Sequence, residues 1–316
     1  MANRITAKLA NAKNAKLKNA DVMNTLLDQI TDRIERLKGL DPLADRLADW
    51  VAPLYANRRV VNVASGTPLG HPLHPLLVTV PIGAYSAAFL FDALKDEDAA
   101  DTMIALGIAS SLPAAYTGLS DWRDTQGGER RVGLVHAASN TVSLVLFGAS
   151  WLARKKGDRT RGVTLALAGA TFVSLGGWLG GHLIYALGVG VDTTAFQQAP
   201  EDWTYAAQES EVTEGSLTMG AVNGVPLVLT RLAGGKIVVY ADRCSHRGGP
   251  LHEGQLVDDC IECPWHQSRF SVTDGAVVQG PATRPQPAYE VRVNHERVEV
   301  RRSDEVRALR TNPVGR

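Results

Sequence analysis

Cysteine is scarce in this sequence, with three in 316 residues, which argues against a disulfide-stabilised domain and suits a reducing compartment. Charge of neither sign is in excess, because 33 Lys and Arg offset 33 Asp and Glu. We find no basic patch for nucleic acid, no glycine loop for phosphate and no internal repeat. The first residues also lack an apolar run, so we expect no secretory signal peptide.

Long hydrophobic stretches are present, although the average composition hides them. Four stretches are nearly free of charge, and each is about as long as the ~20 residues that cross a bilayer as a helix. Buried helices of a soluble bundle are the alternative, because Gly, Ala, Ser and Thr make the stretches moderately apolar. Such helices would carry Glu and Lys at helical spacing, which these do not. We therefore predict transmembrane helices at about residues 71–91, 102–120, 132–153 and 162–191.

The segment before the first predicted span, residues 1–60, has a different character. A helix over residues 21–39 is predicted by one apolar stripe, formed by Val22, Leu26, Ile30, Ile34 and Leu37. A second helix is expected to start with Asp41 as its cap and Pro42 at its first position. The first twenty residues carry basic and no acidic side chains, namely Arg4, Lys8, Lys13, Lys16 and Lys18. We interpret this arm as a membrane-surface or partner-binding helix, with a solvated arm as the alternative.

Two short loops in the last third of the chain combine cysteine with histidine. One reads C-x-H at Cys244 and His246, and the other reads C-x-x-H at Cys263 and His266. Zinc can bind two Cys and two His, but zinc fingers usually pair Cys with Cys and His with His. A Rieske [2Fe–2S] cluster instead gives one iron two thiolates and the other two imidazoles. The loops resemble the Rieske iron–sulfur family over about residues 203–302, which implies that these four residues bind iron.

The residues around the loops add to this resemblance. They are Arg247-Gly248-Gly249-Pro250-Leu251, Gln267-Ser268-Arg269-Phe270, and Gly280-Pro281 where the family places a proline loop. High-potential members carry a further disulfide at the positions of Gly249 and Trp265, so that bridge cannot form here. Ser268 stands where their serine donates a hydrogen bond to the cluster, whereas Phe270 replaces their tyrosine. The resemblance thus implies a potential in the middle or lower part of the Rieske range, about −150 to +300 mV.

The third cysteine, Cys260, has no counterpart among the ligands of the family, and we interpret it as a free thiol. In the predicted membrane region, Gly-His-Pro-Leu-His-Pro at residues 70–75 and Gly181-His182 are similar to an uncharacterised four-helix membrane family, DUF2231. That resemblance implies architecture and little chemistry.

Together these patterns predict an α + β protein with its two classes in separate domains. The expected order is an arm (1–60), a four-span transmembrane bundle (61–192), a linker (193–202), an antiparallel β Rieske domain (203–303) and a flexible tail (304–316). Within the Rieske region, strands are predicted at 225–232 and 236–240, followed by a closing hairpin of 289–293 with 297–301.

An even number of spans puts the arm and the Rieske domain on the same side of the membrane. The positive-inside rule does not name that side, because the basic residues of the loops nearly cancel. The lack of an export signal, the lack of disulfide cysteines and the basic arm favour the cytoplasm. We expect a multi-pass protein of the cell membrane with a cytoplasmic Rieske domain.

Histidines within the predicted spans are candidate functional residues, because burying them in lipid is costly. His74 lies at the start of the first span and His136 near the start of the third. His182 is expected about eight residues before the end of the fourth, roughly 12 Å deep. Interhelical hydrogen bonding or capping is the alternative, which we prefer for His71. For the other three we hypothesise a haem b or quinone site that exchanges electrons with the cluster.

Three functions remain in competition. A membrane-bound carrier of single electrons between a quinone or haem and a second partner is favoured, because exposed imidazole ligands pass electrons and the anchor keeps them near the membrane. A redox sensor or structural membrane anchor is the second. An oxygenase would need a mononuclear iron site in a large further domain, which leaves the role of reductant for an oxygenase. We predict no catalytic residues, and a homo-oligomer is left open.

Overall fold

The computed structural model describes residues 26–303. The basic residues of the first twenty positions, the start of the apolar stripe at Val22 and the predicted tail at 304–316 lie outside this range. Helices occupy the described chain up to Tyr185, and strands follow from Thr204. The predicted architecture, helices and antiparallel sheets in separate regions, is confirmed.

The arm forms α1 (26–36), α2 (Asp41–Val51) and α3 (Arg58–Ser65), with short 3-10 turns between them. Ala44 and Ala48 of α2 are buried against Trp122. The expectation that Asp41 caps α2 is wrong, because Asp41 is the first helical residue and Leu40 is the cap. Its carboxylate instead accepts hydrogen bonds from Arg131 Nε at 2.6 Å and Nη2 at 2.8 Å.

Four helical segments are long and apolar enough to cross a membrane, as predicted. They are α4 (His74–Leu77) with α5 (Thr79–Leu94), α6 (Glu97–Arg123), α7 (Gly127–Lys155) and α8 (Arg159–Tyr185). Tight turns join α5 to α6 and α7 to α8, with positive φ at Lys95 and Gly157. Asp96 and Asp158 then cap the following helices by accepting from backbone N–H groups.

The fourth helix is shorter than predicted, because α8 ends at Tyr185 rather than at about residue 191. Gly188 and Gly190 follow with φ of +70° and +77°, which turn the chain out of the helical path. His182 therefore lies in the last turn of α8, three residues from the helix end rather than about eight.

Small residues bring the helices close together. A Cβ at Gly107 would lie 2.3 Å from Tyr85, and one at Gly169 would lie 3.1 Å from Phe147. The rings of Tyr85 and Phe147 stack at a centroid distance of 3.6 Å, which joins the two helix hairpins. The outer surface carries large aliphatic side chains, including Leu90 (59% exposed), Leu112 (61%), Val145 (64%) and Leu167 (55%). A soluble bundle would bury these side chains, so the pattern indicates lipid contact.

A cluster of charges ties the four helices together at the end far from the Rieske domain. Arg154 is fully buried and contacts Asp92 through Nη1 at 2.8 Å and Nη2 at 2.6 Å. Arg159 also pairs with Asp92, and it contacts Asp101 at 2.7 Å. Each helix thus contributes at least one charged residue to this far-end cluster.

The Rieske region consists of three antiparallel sheets. Their strands are β1 (Thr204–Gln208), β2 (Thr218–Val222), β3 (Val225–Arg231), β4 (Ile237–Ala241), β5 (Gln255–Val257), β6 (Cys260–Glu262), β7 (Arg269–Ser271), β8 (Val277–Gln279), β9 (Tyr289–Asn294) and β10 (Arg297–Arg302). The sheet orders are β1-β10-β9, β2-β3-β4 and β5-β6-β7-β8. The predicted strands and the closing β9–β10 hairpin are confirmed.

The sheet β2-β3-β4 lies in the middle, because both faces of β3 and β4 are buried. Leu227, Leu229 and Val239 pack against the β1-β10-β9 sheet. The alternate residues Val228 and Tyr240 pack on the other side, in the core that also holds Cys244 and Cys263. Because successive side chains of a strand point to opposite faces, β3 and β4 contribute to both cores, one of which holds the two cysteines.

Candidate functional site: the paired Cys and His loops

Two loops at one end of the domain hold the four residues predicted to bind iron, one between β4 and β5 and the other between β6 and β7. Their backbones are bonded alike. The N–H of Cys244 donates to Gly249 O at 2.9 Å, and Gly248 N–H donates back to Cys244 O at 2.8 Å. Cys263 N–H donates to Ser268 O at 2.8 Å, and Gln267 N–H donates to Cys263 O at 3.1 Å. Each loop therefore presents its Cys and His in the same way.

The four side chains meet in two pairs. The thiols of Cys244 and Cys263 are both buried and hydrogen-bonded to each other. The rings of His246 and His266 lie edge to face at a centroid distance of 5.0 Å. Across residues 26–303, no three His, Cys, Asp or Glu side chains gather closely enough to hold a single ion. Two pairs fit a cluster with two irons better than one tetrahedral zinc ion.

Electrostatics of the two pairs suit metal binding. The hydrogen bond between the two thiols lowers the pKa of Cys263 to about 7 and raises the pKa of Cys244, because the pair shares a proton. Burial lowers the pKa of His246 to about 4 and also lowers the pKa of His266, so both imidazoles are neutral near pH 7. Nδ1 of His246 is buried and has no hydrogen-bond partner, so this nitrogen is free to bind iron.

The surroundings leave little room beside the thiols. A Cβ at Gly249 would lie 3.0 Å from Cys263 Sγ and 3.0 Å from the ring of Trp265. Ser268 is fully buried, and its Oγ accepts a hydrogen bond from Ala282 N–H at 2.9 Å. Its own hydroxyl proton therefore remains for another acceptor.

The remaining predicted residues lie near the loops in different ways. Phe270 is buried in the same apolar core as the two thiols. The Gly280-Pro281 segment has a cis peptide bond. Cys260 is buried in β6 opposite Ser271 and forms no disulfide.

The histidine end of the site lies against the membrane region, whereas the sequence suggested exposed imidazoles. The side chain of His246 is 14% exposed, and its Nε2 lies 3.9 Å from Oδ2 of Asp124 in the connection between α6 and α7. Arg247 pairs with Glu129 at the start of α7. Thr193 Oγ1, which follows α8, donates to Cys244 O at 2.8 Å. The α6–α7 connection therefore covers the imidazole of His246.

The segment before the first span holds the proline loop from the other side. Asn62 Oδ1 accepts a hydrogen bond from Gly280 N–H at 2.8 Å. Thr67 Oγ1 donates to Ala282 O at 3.0 Å. A Cβ at Gly280 would lie only 2.2 Å from Thr67 Oγ1. Gly280 is thus the residue that permits the close approach of the two regions.

Two of the three membrane histidines come together, and the third does not. His74 and His136 have a ring centroid distance of 6.3 Å, with an edge-on arrangement. Their Nδ1 atoms each lie 2.8 Å from a backbone carbonyl, of Ala114 and Gly176 respectively. His182 instead contacts Glu35 of α1 at 2.9 Å through Nε2. His182 is therefore engaged with the arm rather than with the other histidines.

Asp124 is the residue at this site that the sequence reasoning missed. It lies in the charged break between two spans, and nothing in the local pattern relates it to a loop more than a hundred residues away. Its carboxylate is 7% exposed, and Oδ2 has no hydrogen-bond partner. A buried, unpartnered carboxylate oxygen is the signal that the tertiary structure adds.

Comparisons with known proteins agree with this geometry. A family model described as Rieske [2Fe-2S] domain matches residues 202–290, and one described as Predicted membrane protein (DUF2231) matches residues 70–193. The anthranilate 1,2-dioxygenase ferredoxin subunit of Burkholderia cepacia is 31% identical over 99 residues, which cover 31% of this chain and 91% of that protein. The 3-phenylpropionate/cinnamic acid dioxygenase ferredoxin subunit of Escherichia coli (strain K12) is 34% identical over 90 residues, or 28% of this chain and 83% of that protein.

Among solved structures, the ferredoxin of carbazole 1,9a-dioxygenase from Nocardioides aromaticivorans IC177 is 27% identical, covers 33% of this chain and 100% of that chain, and has a TM-score of 0.30. The two curated ferredoxin subunits are matched over most of their own length. The chain therefore belongs to the Rieske [2Fe–2S] family, and it joins that domain to a predicted membrane domain of the DUF2231 family.

Proposed function

We propose that this chain is a membrane-anchored carrier of single electrons, with Cys244, His246, Cys263 and His266 as the ligands of its [2Fe–2S] cluster. Such a cluster, when bound, accepts and releases one electron at a time. The observation that carries the proposal is the contact between His246 and the α6–α7 connection, because it puts the histidine end of the cluster against the membrane domain. We infer that one electron-transfer partner is reached through that contact.

The protein surrounds the ligands with groups that hold a charged site in place. Backbone N–H and C=O groups fix the two cysteines, and burial lowers the pKa of both imidazoles, which favours the neutral form that binds iron. Ser268 is available to donate its hydroxyl proton to a sulfur, which would stabilise the reduced state. The loops thus orient and tune the cluster, and we propose no substrate-activating residue.

For the membrane partner we propose a quinone or haem b bound near His74 and His136. In both imidazoles Nδ1 is engaged by a carbonyl, so a ligand would approach each ring through Nε2. At His136 that ligand would displace Nδ2 of Asn140, which lies 3.3 Å from Nε2. Each ring packs against a glycine. A Cβ at Gly118 would lie 2.8 Å from the imidazole of His74, and one at Gly180 would lie 3.2 Å from that of His136. His182 is no longer part of this proposal, because Glu35 occupies its Nε2.

An oxygenase as the second, electron-accepting partner is favoured by one observation. The curated relatives are named as ferredoxin subunits of dioxygenases, and the match covers most of each subunit. We propose that this chain reduces a partner of that class and carries a membrane domain in addition.

The first experiment is purification in detergent, followed by analysis of iron, sulfide, and the visible and EPR spectra. We expect two irons and two sulfides per chain and no mononuclear zinc. Stopped-flow reduction by a quinol and by a ferredoxin reductase then tests electron passage. Failure of every donor to reduce a loaded cluster at turnover rates would reject the carrier and favour a redox sensor.

The membrane site is tested by His136→Ala, with His182→Ala as the matched control. We expect His136→Ala to slow quinol-driven reduction or to remove a haem spectrum, while His182→Ala retains both. If both variants behave as the parent protein does, the site near His74 and His136 is wrong. The orientation, for which we propose a cytoplasmic Rieske domain, is tested by protease protection on sealed vesicles, where cleavage from the external face alone would reverse it.

A further inference from the structure

Asp124 is the first residue after α6, and its two carboxylate oxygens have different surroundings. Oδ1 accepts a hydrogen bond from Arg123 Nε at 3.0 Å. Oδ2 is buried, has no hydrogen-bond partner, and lies 3.9 Å from Nε2 of His246. An unsatisfied buried carboxylate oxygen is costly, so its retention beside one imidazole calls for a physical reason.

The state of the imidazole supplies that reason. His246 has two nitrogens, and the buried, unpartnered Nδ1 is the one free for iron. A neutral imidazole that binds metal through one nitrogen carries its proton on the other, and a second group usually accepts from that N–H. Here the N–H would be on Nε2, which faces Asp124 Oδ2. Iron binding at Nδ1 of His246 would satisfy the first unpartnered atom, and the Nε2–H of the same ring would satisfy the second, Oδ2 of Asp124.

We propose that Asp124 is a positioning residue of the cluster. Its Oδ2 lies 3.9 Å from Nε2 of His246, and in the cluster-loaded protein this separation closes to a hydrogen bond that Nε2–H donates, which lowers the reduction potential. This inference rests on the proposed ligand role of His246. The acceptor fixes the tautomer that leaves Nδ1 for iron, and it increases the electron density that the imidazole gives to the metal. Its negative charge also opposes the charge that reduction adds. Both effects disfavour the reduced state.

The contact between Asp124 and His246 joins the two domains, so the reduction potential depends on whether the domains are in contact. The carboxylate belongs to the membrane domain and the ring to the Rieske domain. The potential is therefore lowest while the two domains are in contact, so the docked cluster is the stronger donor. A Rieske domain that separates from the α6–α7 connection would lose this acceptor and become a stronger oxidant.

The test is Asp124→Asn in the full-length, cluster-loaded protein, because the amide keeps an oxygen for Arg123 and removes the charge. Glu129→Gln is the matched control, because it removes a nearby carboxylate. That carboxylate contacts Arg247 rather than the imidazole ring. Midpoint potentials are measured by EPR-monitored redox titration at one pH. We expect reduction to become about tenfold more favourable in Asp124→Asn, or about 59 mV for one electron, with a smaller change in Glu129→Gln.

A spectroscopic readout separates the contact from general charge. In protein with ¹⁵N-labelled histidine, the ¹⁵N hyperfine coupling of the reduced cluster should change in Asp124→Asn and not in Glu129→Gln. An unchanged or lowered potential in Asp124→Asn, or equal shifts in the two variants, would overturn the proposal. If Asp124→Asn fails to load iron, Asp124→Ser is measured in its place by the same criteria. Parent protein without a cluster would instead refute the ligand assignment, so the two failures are distinguishable.

Discussion

Replacement of Arg154 by methionine should destabilise the membrane domain more than any exposed substitution nearby. The Arg154 side chain has 0% exposure, and it binds both oxygens of Asp92, whose side chain is 10% exposed. It also lies 3.5 Å from Asp101 and donates to Ser150 Oγ at 3.1 Å. Methionine fills a similar volume but leaves two largely buried carboxylates with one fewer cation.

The magnitude follows from the burial of these groups. Removing one partner of a buried ion pair costs about 3–5 kcal/mol, because the other charge stays buried without its counterion. Arg159 also contacts Asp92 and Asp101, so part of the compensation remains. We therefore expect a loss at the lower end, about 3 kcal/mol, which lowers the folding equilibrium constant by about two orders of magnitude.

The assay is reversible unfolding in mixed micelles, with the fraction of SDS as the variable and helix content as the signal. Arg161→Met is the control, because Arg161 is exposed on the first turn of α8. A double variant, Asp92→Asn with Arg154→Met, should recover part of the loss, since the amide no longer requires a cation. If Arg154→Met unfolds with the parent protein, or the double variant loses more than the sum of the two single variants, the far-end cluster does not stabilise the bundle.

Three further predictions concern the cluster. Cys263→Ser should abolish iron and sulfide binding, whereas the control Cys260→Ser should retain both; full metal content in Cys263→Ser would refute the ligand assignment. Ser268→Ala should lower the midpoint potential by removing a donor, and it should cost about 1–3 kcal/mol of stability by leaving Ala282 N–H unsatisfied; redox titration and denaturant unfolding check the two parts, and a raised potential would contradict the first. Phe270→Tyr should raise the midpoint potential through a new donor beside the cluster, and a titration with no change or a fall would count against that reasoning.

The parts of this protein that the sequence predicted are those that depend on local patterns. The spacing of Cys244 with His246 and of Cys263 with His266 is a property of single loops, and the backbone of each loop is bonded within about six residues. The membrane helices follow from continuous apolar stretches. The strands β3 and β4 and the β9–β10 hairpin follow from alternation and turn residues.

Helix ends were less predictable because they depend on backbone conformation beyond the apolar pattern. The stretch through Val191 is apolar, yet α8 ends at Tyr185, and the glycines at 188 and 190 adopt positive φ. The residue type of Asp41 predicted a cap for α2, but its carboxylate instead accepts a hydrogen bond from Arg131 of α7. A local signal was outweighed in this case by a partner distant in the sequence.

The sequence by itself determined the spacing within the two Cys and His loops, the number of helices long and apolar enough to cross a membrane, and the division into helical and β regions, because each rests on residues close together in the chain. Only the tertiary structure decided that His246 faces Asp124, that His74 meets His136 while His182 binds Glu35, and that Arg154 joins Asp92 and Asp101. These pairs join residues that lie between about fifty and about one hundred and fifty positions apart. Helix packing and domain docking bring such residues together, and no local period in the sequence records which of them will meet.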